Sequence, residues 1–129
     1  LLSFSNFGSS SHPMANKVEN AVKFLRRSHP NMIVDGPIQS DFALNKLILK
    51  NKFEESKLGN QKVNILVFPN LDSANITYKV IKEIDGAKSI GPIIMGLDKA
   101  VHILQLKPSV EEIVNMSAIA VIDAQSRNE

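Results

Sequence analysis

Apolar and polar positions alternate along the chain in two rhythms, short continuous runs and helical stripes. Val63, Ile65, Leu66, Val67 and Phe68 make a run with the length and β-branched content of a buried strand, and Pro69-Asn70 ends it. Beyond it Ile76, Val80 and Ile84 recur four apart, with Lys79, Lys82 and Glu83 left to face water. That spacing predicts an amphipathic helix capped by Asp72 or Ser73. The unit is strand, polar turn, helix. In an open α/β sheet such a junction lies at the carboxyl end of a strand, where ligands bind and free helix N–H groups meet anions. Most such turns, however, only connect elements.

The same two rhythms organise the rest. Leu1 to Phe7 reads as a strand, and Gly8-Ser9-Ser10-Ser11 as a turn small enough for amides and hydroxyls to surround an anion, or simply a connector. Pro13 suits the first turn of a helix with Met14, Val18, Ala21, Val22 and Leu25 on one face, closed by Ser28-His29-Pro30. His12 and His29 stand at its two ends as capping or exposed residues rather than ligands. Met32 to Val34 is a second short strand stopped by Asp35-Gly36-Pro37. Ser40 or Asp41 can then cap a helix carrying Phe42, Leu44, Leu47 and Ile48. Lys50 to Lys62, with Gly59-Asn60, is a polar surface loop or frayed helix end. Asp85-Gly86-Ala87 stops the helix after the organising strand. Ser89 to Met95 is extended with a bend at Gly91-Pro92, and Val101 to Leu104 is a last short strand. Ser109 and Glu112 have the spacing of a capping box for a largely apolar helix carrying Ile113, Met116, Ala120 and Ile122. The repeated strand and helix order predicts a three-layer α/β/α, Rossmann-like fold with a mainly parallel sheet.

Composition narrows the function classes. The 129 residues are 43% hydrophobic and 22% charged, the make-up of one globular domain. Formal net charge is only +2, the basic residues are dispersed, and aromatics are 5%, which argues against a nucleic-acid surface. Without cysteine there is no disulfide, thiolate catalysis or thiolate metal site, and a cytoplasmic location is expected. No apolar run approaches the roughly 20 residues that cross a bilayer. No metal-ligand spacing links the three histidines. A chain opening on Leu1-Leu2-Ser3-Phe4, with neither Met nor a polar lead-in, reads as a piece of a longer protein.

FPNLDSANITYK, then SIGPIIMGL at Ser89 to Leu97 and SVEEIVNMSAIAVIDAQ at Ser109 to Gln125, resembles in order and spacing the C-terminal part of the phosphate acetyltransferase (phosphotransacetylase) family. SFSNFGSSSH at Ser3 to His12 and DGPIQSDFAL at Asp35 to Leu44 extend the resemblance over nearly the whole chain. LLSFSNFGSSSHP, VHILQL and IVNMSAIAVIDAQ are most similar to the phosphotransacetylase-like region of the large bacterial NADP-dependent malic enzymes. The resemblance implies a wound core over 1–90 and a segment, 91–129, that packs back on a preceding domain. It also implies an acyl and phosphate pocket at Ser5, Asn6, Gly8 and Ser9, joined by Asn70, Asn75, Gln105 and Lys107 as acetyl-CoA or anion contacts. Asp35, Gln39 and Asp41 fall near that cleft, although turn and capping chemistry explains them as well.

Family members move an acetyl group between CoA and phosphate. Their block resembling NDLSRG carries a substrate-binding serine and arginine, followed by an aspartate as base. Here VHILQLKPSVEE places His102 at the asparagine, Gln105 at the serine, Leu106 at the arginine and Glu112 at the aspartate. Leucine offers neither charge nor donor. Gln105 can still hydrogen-bond and Glu112 can still accept a proton, though the capping box already accounts for Glu112. The same departure characterises the malic-enzyme branch, which implies a non-catalytic, acetyl-CoA-sensing, oligomer-forming region regulating an upstream malic-enzyme region. NADP and a divalent metal, Mg or Mn, belong by resemblance to that parent enzyme. The alternative is a catalytic phosphate acetyltransferase or butyryltransferase fragment.

Overall fold

A computed structural model describes residues 1–59, 61–84 and 86–127. The chain divides into two compact units, Leu1–Lys79 and Val80–Glu129.

The first unit is built on the extended N-terminal segment. Leu1 and Ser3 exchange backbone bonds with Ile38 (Ile38 N to Leu1 O, 3.2 Å; Ser3 N to Ile38 O, 2.9 Å), while Leu2 N donates to Val67 O at 2.7 Å. Residues 1–3 therefore run between Ile38 on one side and Val67 on the other. The parallel pairing expected of the first two strands is a single bridge, Leu2 to Ile38. It lies beyond the Asp35-Gly36-Pro37 stop, not at Met32 to Val34 as the apolar run suggested. Gly36 makes the approach possible: at φ +133° a Cβ there would stand 2.5 Å from the Leu1 carbonyl oxygen. Leu2, Ile38, Ala43 and Leu49 form the buried cluster, with Phe7, Phe42, Phe53, Leu58, Leu66 and Phe68 against it. The 63–68 run is covered on one face only. Leu66 and Phe68 reach the cluster, but Ile65 is 72% exposed.

Helix α1 (Pro13–Ser28) forms as the stripe and Pro13 require, burying Ala15, Val18 and Val22. His12 is its N-cap, its Nδ1 accepting from Met14 N, and His29 is its C-cap. The next helix is not one but two, α2 (Ser40–Leu44) and α3 (Lys46–Lys52). Asn45 divides them because its side chain accepts from both Leu47 N and Ile48 N at 3.1 Å, replacing helix bonds with a fresh cap. The restart turns Leu49 into the core and leaves Leu44 and Leu47 exposed, against the expected face. Gln39, not Ser40 or Asp41, occupies the α2 N-cap position.

Helix α4 (Leu71–Ile84) starts two or three residues earlier than a cap at Asp72 or Ser73 predicts, since Asn70 Oδ1 accepts from Ser73 N at 2.9 Å. Asp72 and Ser73 lie in its first turn. Its expected inner face is uncovered, Ile76 being 64% and Ile84 82% exposed. Gly86 beyond it takes φ +59°, as a helix stop requires; Asp85 and Asn60, parts of the predicted stop and loop, lie outside the described residues. In the second unit the predicted capping box is present at Ser109 and Glu112, opening α5 (Val110–Ser126). That helix buries Met116 and leaves Val110, Val114, Val121 and Ile122 largely exposed. Among the described residues no helix is long and apolar enough to cross a membrane.

Candidate functional site

In the first unit the Ser5 to Ser10 loop is a self-bonded turn. Buried Ser5 meets Ser9 hydroxyl to hydroxyl at 3.0 Å, and Ser9 Oγ also accepts from Asn6 N at 3.0 Å. Phe7 and Gly8 both adopt positive φ, which folds the loop back on itself. Asn6 Oδ1 is spent on Gln39 N at 2.8 Å, and Gln39 Nε2 donates to Phe4 O at 2.6 Å. Ser9 and Gly8 remain at the surface. Lys17 Nζ donates to Pro69 O at 2.9 Å, tying the early part of α1, which this loop feeds, to the turn that opens α4. Asn70 there caps the helix, and Asn75 is exposed on it. Ser5, Asn6, Gly8, Ser9 and Asn70 thus lie in two turns of one unit, the second of them bonded to α1 through Lys17.

Sequence reasoning gave Asp35 a place in a turn near the implied cleft but not the buried network it centres. Asp35, 4% exposed, accepts through Oδ1 from Arg26 Nη2 (2.5 Å) and Gly36 N (2.9 Å), and through Oδ2 from Ser56 Oγ and Lys57 N (2.7 Å each). It anchors the 53–59 turns to α1. No local spacing announces partners 9, 21 and 22 residues away.

The second unit holds the residues that the resemblance sets against the transferase block. Gln105 and Glu112 line one small cleft with Ser89, Leu104, Asn115 and Met116. Leu106 does not join them; it is 99% exposed at the tip of a turn, and Lys107 beside it holds φ +57°. The His102 side chain is covered, 4% exposed, although the residue as a whole is half-buried. Its ring nitrogens make no well-aligned hydrogen bond, although Nε2 stands 3.2 Å from Asp123 Oδ2. Asp123 is gripped at both oxygens by Arg127 (2.8 and 3.2 Å), which holds its carboxyl below the usual range. Arg127 also donates to the Leu97 carbonyl. Among the described residues no three His, Asp or Glu side chains gather where a metal could sit.

Glu112 is the most perturbed of these groups. Its Oε2 accepts from Ser109 N at 2.7 Å and its Oε1 from Lys82 Nζ at 3.0 Å. The Ser109 amide first, and the Lys82 ammonium after it, hold the carboxyl down to about 2. A depressed carboxyl stabilises the fold above its ordinary value of 4.5, and that contribution is lost as pH falls from there to about 2. A carbon-detected titration of Glu112 is expected to give a midpoint near 2, and Lys82→Met to raise it. A midpoint in the ordinary range would contradict the lock.

A family profile described as Phosphate acetyl/butaryl transferase matches residues 1–121. The chain is 39% identical over 128 residues to the NADP-dependent malic enzyme of Escherichia coli, covering 98% of this chain and 17% of that one. It is 39% identical over 125 residues to the phosphate acetyltransferase of Clostridium acetobutylicum, covering 97% of this chain and 37% of that one. A phosphotransacetylase structure from Streptococcus pyogenes superposes with a TM-score of 0.84 at 34% identity, over 99% of this chain and 38% of that one. The chain therefore spans less than two fifths of the curated relatives it matches, and it shares their α/β fold.

Proposed function

The chain belongs to the phosphate acetyl/butaryl transferase family, and on that premise we propose that it is a regulatory, oligomer-forming, acetyl-CoA-sensing region of a bacterial NADP-dependent malic enzyme, without acetyltransferase activity of its own. One observation carries this reading: the residue at the family arginine is a leucine pointing wholly into water, Leu106. The locked state of Glu112 supports it, because a carboxylate held near 2 is a poor proton acceptor. The malic-enzyme relative supports the parentage; an upstream region in the same protein is proposed with it, and NADP and a divalent metal are assigned to that region by the resemblance alone. We further propose that the full protein completes the three-layer parallel sheet, and that 91–129 packs back on its preceding domain.

By resemblance, acetyl-CoA contacts are proposed at Ser5, Asn6, Gly8, Ser9, Asn70 and Asn75 in the first unit and at Gln105 and Lys107 in the second. Ser9, Gly8 and Asn75 are exposed, and Lys107 carries a cation suited to CoA phosphates. Titrating acetyl-CoA into the full-length protein while following malate oxidation is expected to inhibit it. The response should weaken in Gln105→Ala combined with Asn75→Ala. An unchanged response, or none in the wild type, removes the assignment.

Self-association is expected through α5, whose Val114 and Val121 lie on one stripe, 60% and 55% exposed. Sedimentation at micromolar concentration should give a dimer or larger species, and Val114→Asp with Val121→Asp a monomer. A monomeric wild type would refute this contact.

A second reading, a catalytic acetyl or butyryltransferase, draws on one specific observation. Gln105 and Glu112, at the family serine and aspartate, line the same cleft.

A further inference from the structure

We draw no further inference here: the strongest candidate, the apolar cavity of about 330 Å³ in the first unit between the 32–34 and 62–67 segments, carries none because nothing in the structure shows what covers it.

Discussion

Asp35→Ala is expected to remove about 3–5 kcal/mol of unfolding free energy, a large share of the roughly 5–15 kcal/mol that holds a domain together. The carboxylate is buried and satisfies four donors on three parts of the chain. Arg26 is 35% exposed, so its guanidinium can turn to water once the partner is gone. The amides of Gly36 and Lys57 and the Ser56 hydroxyl have less freedom. Each buried donor left unpaired costs about 1–3 kcal/mol, and water entering the vacated space offsets part of that. Arg26→Ala, which leaves the buried carboxylate without the guanidinium, should cost a comparable amount, and Ser56→Ala, which removes one neutral donor, less. Urea unfolding of the three variants tests the order. A loss below about 1 kcal/mol for Asp35→Ala would mean that the network is an ornament of the turn and not its anchor.

Phosphate acetyltransferase turnover in the full-length protein is expected to lie at least about 10²-fold below that of an authentic transferase. Two independent features point the same way. Losing one donor that acts on charge developing in the transition state costs about 2.7–4 kcal/mol, or 10²–10³ in rate, and Leu106, which the resemblance sets at the family arginine, supplies no donor. The second is the base. A thiol releases its proton near 8.5, whereas the Ser109 amide and Lys82 hold the Glu112 carboxyl down to about 2, so it is a poor acceptor for that proton. The Leu106→Arg change alone should leave turnover low, because the Ser109 amide and Lys82 still hold Glu112. Conversion of acetyl phosphate and CoA to acetyl-CoA is the measurement. Rates matching the Clostridium acetobutylicum relative would overturn the regulatory reading and establish the transferase.

Local chemistry was legible in the residues because it is decided over a few positions. Pro13, the His12 and His29 caps, the Ser109 and Glu112 box and the glycine stop at Gly86 each depend on neighbours within one turn, and the fold bears them out. The resemblance in residues likewise predicts the family that the profile and the relatives show. Even at this range one local device was overlooked. Asn45 breaks the apolar stripe at Leu44, Leu47 and Ile48, since a side chain that bonds two amides competes with the helix that hydrophobic spacing favours.

What lay beyond reach was everything that depends on which distant segments meet. The stripe on α4 and the run at 63–68 predicted burial, yet periodicity says only which face would be buried if something packed on it. Ile65, Ile76 and Ile84 stay exposed. The pairing of Leu2 with Ile38 in place of Met32 to Val34 rests on Gly36, whose missing side chain lets the two backbones touch. Lys82 and Glu112 are 30 residues apart. A sequence carries the charges of both, but their distance, and with it the proton affinity of Glu112, exists only once the chain has folded.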